Sequence, residues 1–355
     1  EKRLVKKVDF MKTLIKEIDI NKPDQDLISL FANMLADGKT VIFPTETVYG
    51  LGANALDEDA ATKIYQAKGR PSDNPLLVHV ADKEDVYDLV ENIDDRAKLL
   101  MDKFWPGPLT IVFKKKAIIP DRTSGGLDTV AIRMPSDQVA RDLIRQAGVP
   151  IAAPSANISG RPSPTKPEHI IRDMDGRVDG ILVGGPCDYG VESTIIDLSE
   201  DLAMVLRPGS ITLEMLGEVL GRVDLDPSLK NKDDNIRAKA PGMKYKHYSP
   251  QAQVYIVKAD DLEGFAERVD SLCEDNAKKG LKIGVMTMNY DQHSYQAKVF
   301  DLGGSDTEVA KNLFDSLISL DRESIDIAYV PYFEERGIGV AIMNRLKKAA
   351  AYRII

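Results

Sequence analysis

Apolar positions follow a helical spacing in some segments and form short unbroken runs in others. Residues 27–35 repeat on one helical face after Asp24, whereas 40–43 is a mostly apolar run of strand length. Further strands are predicted at 76–80, 109–114, 129–134, 150–153, 181–183, 193–198 and 203–206, and further helices at 57–67, 82–91, 94–104, 137–146 and 212–220. These elements do not strictly alternate, which predicts an α/β or α+β sheet with many antiparallel pairs.

The second half of the chain has a more regular pattern. Strands predicted at 254–257, 282–286 and 325–330 alternate with helices predicted at 261–278, 307–319 and 340–350. Such alternation is typical of a small parallel α/β domain. Between the two patterns, residues 224–240 are polar, with charges of both signs and no aromatic residue. We therefore predict one domain at 14–222, a linker at 223–251 and a second domain at 252–355.

The composition is that of an ordinary soluble protein, with 43% apolar and 29% charged residues. A length of 355 residues favours two domains. No apolar run approaches the roughly 20 residues that span a bilayer, and the N-terminus lacks the apolar core of a signal peptide. We therefore expect a cytoplasmic protein without a membrane partner. Residues 1–10, which precede Met11, are expected to be a leader without a role.

The charge and the reactive side chains narrow the possible chemistry. A net charge of -9 argues against wholesale binding of a nucleic acid backbone, but it allows a local basic cleft for a phosphorylated small molecule. Cys187, Cys273 and the four histidines lack the spacing of a zinc site, so no permanent metal is expected. The sequence has neither a P-loop nor a Gly-x-Ser-x-Gly elbow. We therefore expect catalysis by positioning and electrostatics.

Cations and hydroxyls gather beside turns in the first predicted domain. Four cations lie next to Gly or Pro positions, where side chains can converge on one pocket: Lys68, Arg70, Arg133 and Arg207. Hydroxyl and amide side chains lie in similar segments: Ser155, Asn157, Ser163, Thr165, Ser193 and Thr194. Such groups can bind carboxylates, phosphates and a ribose. Each residue alone is also consistent with a solvated charge or a turn cap, so the prediction of a site depends on the group.

Several longer motifs occur in order along the same domain. They are Pro-Thr-Glu-Thr-Val-Tyr-Gly-Leu at 44–51, Lys-Gly-Arg-Pro at 68–71 with Asn-Pro-Leu at 74–76, Trp-Pro-Gly-Pro-Leu-Thr at 105–110, Ser-Ala-Asn at 155–157, and Ser-Thr at 193–194 with Arg-Pro-Gly at 207–209. In these motifs the sequence resembles the threonylcarbamoyl-AMP synthase family, the YrdC-like enzymes of transfer RNA modification. The resemblance covers about residues 14–220. Residues 241–250 and the tail resemble the longer, two-domain form.

The resemblance implies a reaction in which L-threonine, bicarbonate and ATP give threonylcarbamoyl-AMP and pyrophosphate. ATP would be a substrate that brings Mg²⁺ with it, and no permanent cofactor is implied. Downstream threonylcarbamoyl transferase proteins would pass the product to an adenosine beside the anticodon of certain transfer RNAs, so contact with transfer RNA is a further expectation. The implied fold is a twisted mixed sheet with helices around a basic concavity, followed by a small Rossmann-like C-terminal domain.

The resemblance also implies roles for individual residues. The positions that match the family's threonine site are Thr47, Arg133, Ala153 and Ser193. Those that match its nucleotide and phosphate site are Lys68, Arg70, Asn74, Thr129, Ser155, Asn157, Ser163, Arg207 and Tyr245, with His79 at the edge of the site. In physical terms, Arg133 can form a fork with the carboxylate of threonine. Lys68 and Arg70, the two predicted catalytic residues, can offset the charge that builds when a carbamate oxygen attacks the α-phosphate.

Alternative interpretations remain open for the function and for the linker. A carbamoyl-AMP-forming enzyme of the hydrogenase maturation type would be expected to carry zinc-finger and acylphosphatase segments, whereas this chain has two cysteines. An RNA-binding module could use the same basic concavity for a phosphate backbone. Residues 241–250 are expected to close over the nucleotide, with Tyr245 stacking on the base, although a plain interdomain tether is consistent with the same sequence.

Overall fold

The computed structural model of the chain describes residues 12–229, 239–241 and 247–355. Its strands form one sheet of eleven strands and one of four. The larger sheet consists of β1 (Leu14–Glu17), β2 (Val41–Phe43), β3 (Gly50–Asn54), β4 (Leu77–His79), β5 (Leu109–Lys114), β6 (Thr129–Arg133), β7 (Ile151–Ala152), β8 (Gly180–Val183), β9 (Thr194–Asp197), β10 (Met204–Arg207) and β11 (Asp224–Leu225). The strand order is β1-β8-β2-β3-β7-β4-β6-β5-β9-β10-β11. We call the part of the chain that carries this sheet the N-terminal domain.

Parallel and antiparallel pairs are both present in the larger sheet. For example, β4 pairs with β6 in parallel, and β6 pairs with β5 in antiparallel orientation. The mixed α/β architecture predicted for this part of the chain is therefore confirmed. The register aligns His79 with Arg133 and Arg133 with Thr110. Since paired residues of neighbouring strands share a face of the sheet, these three polar side chains stand in one row.

Eleven α-helices lie within the described ranges. They are α1 (Gln25–Ala36), α2 (Glu58–Lys68), α3 (Val86–Leu89), α4 (Asp95–Phe104), α5 (Asp121–Ser124), α6 (Gln138–Ala147), α7 (Pro167–Met174), α8 (Leu213–Leu220), α9 (Leu262–Ala277), α10 (Asp306–Arg322) and α11 (Gly339–Ala349). The Asp57 side chain caps α2 by accepting hydrogen bonds from the backbone of Asp59 and Ala60. Gly69 ends α2 with a φ of 60°, a conformation that disfavours residues with a Cβ atom. Both ends of α2 therefore follow from local sequence.

Several segments differ from the sequence prediction: β1, β3, β14, α5 and α7 were not predicted, and two other segments are organised differently. Residues 82–91 form a 3₁₀ turn, Lys83–Asp85, followed by the single turn of α3, so the prediction of one helix is wrong. The Asp85 carboxylate closes the 3₁₀ turn by accepting hydrogen bonds from the backbone of Ala81 and Asp82. In the segment predicted as a linker, β11 pairs in parallel with β10, so the sheet extends into that segment.

The smaller sheet contains four parallel strands. They are β12 (Gln253–Val257), β13 (Ile283–Thr287), β14 (Lys298–Asp301) and β15 (Ile327–Pro331), in the order β12-β15-β13-β14. Along the chain, α9 lies between β12 and β13, and α10 lies between β14 and β15. This arrangement confirms the predicted small parallel α/β domain, which we call the C-terminal domain. In the part of the chain that the structure describes, no helix is both long and apolar enough to cross a membrane.

The two domains share buried apolar contacts. Val48 and Val191 of the N-terminal domain belong to the same hydrophobic cluster as Phe314 of α10. A polar contact lies beside this cluster, because the Asp315 carboxylate is 2.7 Å from Lys166 Nζ. The C-terminal domain therefore packs directly against two loops of the N-terminal domain, those that contain Val48 and Val191.

Candidate active site

A cavity with an empty volume of about 680 Å³, part of it open to solvent, is built mainly from the N-terminal domain. Ten of the residues predicted from the sequence line it: Thr47, Arg70, His79, Arg133, Ala153, Ser155, Asn157, Ser163, Ser193 and Arg207. Pro241, His247 and Tyr248, from the chain between the two sheets, line it as well. The structure thus brings most of the predicted site residues together around one cavity.

Arg133 is held from several sides at the end of β6, where it is 3% exposed. Its Nη1 donates to Thr47 Oγ1 at 2.8 Å, and its Nε donates to the Gly107 carbonyl at 3.3 Å. Its Nη2 lies 2.7 Å from Glu46 Oε1. The guanidinium is therefore fixed in position by a hydroxyl, a carbonyl and a carboxylate.

Glu46 supplies the negative charge that balances Arg133. Its Oε1 accepts a hydrogen bond from the backbone of Ser136 at 2.9 Å. Burial alone would raise the pKa of Glu46, but the charge of Arg133 and the hydrogen bond from Ser136 hold it below the ordinary value. Glu46 is therefore ionised at neutral pH, and the pair forms a buried ion pair.

Asp137→Asn should make the protein more stable above neutral pH. Burial raises the pKa of Asp137 to about 6, and the charges of Glu46 and Asp188 add to the effect. This pKa exceeds the value of about 4 in the unfolded chain. Ionised Asp137 therefore destabilises the folded protein, by an amount that grows between about pH 4 and pH 6 and is fully present above that range. Asparagine can keep the cap of α6, in which the Asp137 side chain accepts from the Ala140 backbone.

We expect Asp137→Asn to raise the free energy of unfolding by about 1 kcal/mol at pH 8 and to have no effect near pH 4. Denaturant titrations at the two pH values would measure the difference. Asp24→Asn is the matched control, since Asp24 is an exposed cap of α1. A gain of the same size at both pH values would show that the charge is not its cause.

Ser193 lies at the centre of a second polar group in the cavity. Arg207 donates from Nε to the Ser193 carbonyl and from Nη2 to Ser193 Oγ, both at 3.0 Å. Thr110 Oγ1 lies 2.8 Å from Ser193 Oγ. Burial lowers the pKa of Arg207 to about 10, which leaves it charged at neutral pH. A positive charge and two hydroxyls thus meet at the start of β9.

Lys68 lies at the last position of α2 and is 2% exposed. Its Nζ donates to the carbonyls of Ser155 and Asn157, the latter at 2.6 Å. Burial and the charge of Arg70 lower the pKa of Lys68 well below the ordinary lysine value. Lys68 lies outside the described set of cavity-lining residues. The ammonium group therefore holds the 155–157 loop, and its role at the phosphates stays a prediction.

The structure places the other predicted nucleotide residues as follows. Arg70 lines the cavity and donates from Nε to the Asn74 carbonyl at 3.3 Å. Asn74 and Thr129 lie outside the described residues that line the cavity. Thr129 begins β6, at the opposite end of the strand from Arg133. Tyr245 lies outside the residues that the structure describes, so its predicted place over the base stays a prediction.

His79 offers an acceptor beside the Arg133 donors. Its ring is buried, and Nδ1 has no hydrogen-bond partner within the described ranges. Burial, followed by the charge of Arg133, lowers the pKa of His79 well below its ordinary value, so the ring is neutral. A neutral imidazole keeps one ring nitrogen as a hydrogen-bond acceptor. His79 can therefore accept a hydrogen bond beside Arg133.

Four side chains of the site were not predicted from the sequence: Glu46, Thr110, Glu192 and Tyr248. Glu46 and Thr110 lie within motifs that the sequence made conspicuous, yet nothing local pairs them with Arg133 and Ser193. In the described part of the chain, no group of three or more His, Cys, Asp or Glu side chains is arranged to hold a metal ion.

The chain is similar to known proteins over almost its whole length. A family model described as "Telomere recombination" (Sua5, YciO and YrdC) matches residues 33–209. A second, described as "Threonylcarbamoyl-AMP synthase, C-terminal domain", matches residues 211–351. The threonylcarbamoyl-AMP synthase of Pyrococcus abyssi is 46% identical to this chain and covers 92% of it over 95% of its own length. That of Bacillus subtilis is 46% identical over 96% of both chains.

A solved structure shows the same similarity over both domains. The crystal structure of Pyrococcus abyssi Sua5 complexed with L-threonine is 45% identical in sequence and matches with a TM-score of 0.92, covering 97% of this chain and 99% of that one. The Escherichia coli YciO structure matches with a TM-score of 0.51 over 56% of this chain. The chain therefore belongs to the threonylcarbamoyl-AMP synthase family, in its two-domain form.

Proposed function

We propose that the chain is an L-threonylcarbamoyladenylate synthase, a nucleotidyltransferase that makes threonylcarbamoyl-AMP and pyrophosphate from L-threonine, bicarbonate and ATP. The observation that carries the proposal is the buried Arg133 guanidinium in the wall of the cavity, which Thr47, Gly107 and Glu46 hold in position. A guanidinium fixed in this way can bind a ligand carboxylate. The Sua5 protein of Pyrococcus abyssi was crystallised with L-threonine, which supports an amino acid as the ligand.

The polar groups around Arg133 are suited to the rest of a threonine molecule. The neutral ring of His79 can accept a hydrogen bond from an amino group, and the hydroxyls of Thr47 and Ser193 can bind polar atoms. Ala153 also lines the cavity, and its single methyl group leaves room beside them. We assign this side of the cavity to threonine.

The proposed reaction has two bond-forming steps. The deprotonated amine of threonine attacks the carbon of bicarbonate, and loss of water gives a carbamate. A carbamate oxygen then attacks the α-phosphorus of ATP, and the bond to pyrophosphate breaks. Arg70 and Arg207 line the cavity and would offset the growing negative charge, together with Mg²⁺ that arrives bound to ATP. No covalent enzyme intermediate is needed.

We assign the other side of the cavity to ATP. Ser155, Asn157 and Ser163 line it, and the first two lie on the loop that Lys68 holds. Asn157 Nδ2 donates to the carbonyls of Ile158 and Arg161, both at 2.9 Å, so its amide is already oriented. The product would be passed to downstream transferase proteins and used for threonylcarbamoylation of adenosine in transfer RNA.

A product assay tests the proposal directly. Purified protein is incubated with ATP, Mg²⁺, bicarbonate and threonine, and pyrophosphate and threonylcarbamoyl-AMP are measured by enzymatic assay and mass spectrometry. We expect both products to require threonine. Product formed from carbamoyl phosphate instead would support a carbamoyl-AMP-forming enzyme, and tight binding of duplex RNA without any adenylate would support an RNA-binding module. Either result without threonine-dependent product would overturn the proposal.

A further inference from the structure

Arg345 connects the C-terminal domain to the cavity. It lies on α11, has a relative exposure of 0%, and makes its hydrogen bonds with residues of the N-terminal domain. Its Nε and Nη2 donate to Glu192 Oε2 at 3.2 and 3.1 Å, and its Nη1 donates to the Pro208 carbonyl. A guanidinium removed from water this completely is costly unless its partners are placed well. The interface is therefore built around this residue.

Glu192 contacts both Arg345 and the wall of the cavity. It is 5% exposed and lines the cavity, and its Oε1 accepts a hydrogen bond from Ser163 Oγ at 2.6 Å. Burial would raise the pKa of Glu192, but the charges of Arg345 and Arg207 hold it below the ordinary value. The carboxylate is thus ionised between a cation of the other domain and a hydroxyl of the proposed nucleotide site.

The contact between Arg345 and the Pro208 carbonyl lies beside the same side of the cavity. Pro208 follows Arg207 directly in the chain, and Glu192 directly precedes Ser193, the residue to which Arg207 donates two hydrogen bonds. Arg345 therefore holds both backbone segments that present this pair to the cavity.

Tight packing leaves these segments little freedom to move independently of the C-terminal domain. A Cβ atom on Gly190 would lie 2.1 Å from the Lys311 carbonyl of α10, so the two backbones are in direct contact. The ring of Tyr248, which lines the cavity, lies 5.1 Å from that of Phe314 and 5.8 Å from the Arg345 guanidinium. The cavity wall is thus continuous with the core of the C-terminal domain.

We propose that Arg345 is a positioning residue for the nucleotide side of the cavity, through which the C-terminal domain fixes Ser163 and Arg207. The proposal deepens the proposed function and depends on it for its kinetic consequences. It assigns the C-terminal domain a part in ATP binding that does not require contact between that domain and ATP. Threonine binding at the Arg133 side should depend on it much less.

Calorimetry with a non-hydrolysable ATP analogue and with threonine tests the proposal. We expect Arg345→Gln to lower the affinity for the ATP analogue at least tenfold and the affinity for threonine less than threefold. Arg345→Lys, which keeps the charge but not the fork, should fall between the two. Arg353→Gln is the matched control: Arg353 donates to the Val254 carbonyl inside the C-terminal domain, and its loss should change neither affinity. Equal weakening of both ligands, or unchanged ATP binding in Arg345→Gln, would overturn the proposal.

A double-mutant cycle separates positioning from a general loss of stability. If Arg345 acts through Glu192 on Ser163, then Ser163→Ala should lower the affinity for the ATP analogue by a smaller factor in the Arg345→Lys variant than in the unmodified protein. Additive effects on ATP binding would contradict this route. Because the measurement is binding rather than turnover, it remains decisive even if the product assay shows that the chain does not make threonylcarbamoyl-AMP.

Discussion

Arg133→Gln should lower the affinity for L-threonine at least a hundredfold, while the affinity for ATP changes less than threefold. The substitution removes the positive charge that we assign to the threonine carboxylate. Loss of a charge-assisted contact in a buried site costs about 3–4 kcal/mol of binding, which corresponds to a factor of about 10²–10³. Isothermal titration with each ligand separately would measure the two affinities.

The loss of Arg133 also affects stability, and this needs its own control. Glu46 is 3% exposed, and without its counter-charge the carboxylate would be buried alone. Removing one partner of a buried ion pair costs about 3–5 kcal/mol of folding free energy. The double variant Glu46→Gln with Arg133→Gln should recover much of this stability, but it should not recover threonine binding. Equal losses of threonine and ATP affinity in a folded double variant would show that our division of the cavity is wrong.

The sequence predicted those elements whose ends are marked locally. Helix α6 is an example: the Asp137 side chain caps its start, and Gly148, with a φ of 68°, ends it. The unpredicted strand β14 shows the limit, because Phe300 is its one buried residue and a single apolar position gives no period. The apolar pattern therefore failed at β14, which buries very little of its surface.

Within the site, the sequence identified residues but not their partners. Thr47 and Arg133 bond to each other across 86 positions of the chain, and the family resemblance marked both of them. Arg345 reaches Glu192 across 153 positions, and neither residue lies in a segment whose composition distinguishes it. Such pairs are set by strand register and domain packing, which local patterns do not encode. The sequence likewise did not show that Lys68 donates to the carbonyls of Ser155 and Asn157, which lie 87 and 89 positions further along the chain.

Lys68→Met should lower the affinity for ATP and leave kcat at saturating ATP almost unchanged. Methionine is similar in length but lacks the donors that hold the carbonyls of Ser155 and Asn157. Leaving two buried acceptors unpaired costs about 1–3 kcal/mol each, so the free energy of unfolding should fall by about 2–6 kcal/mol. The freed loop carries two of the residues assigned to the nucleotide. We expect the affinity for ATP to fall about 10- to 100-fold and that for threonine to stay unchanged.

Steady-state kinetics distinguish this expectation from direct catalysis by Lys68. If the ammonium instead met the leaving pyrophosphate, Lys68→Met would lower kcat by a factor of about 100 or more at saturating ATP, with little change in ATP affinity. Lys63→Met is the matched control, because Lys63 also lies on α2 and donates to a backbone carbonyl, that of Gly38, away from the cavity. That variant should lose some stability and no affinity. The ratio of the kcat and KM effects therefore decides whether Lys68 organises the loop or takes part in the reaction.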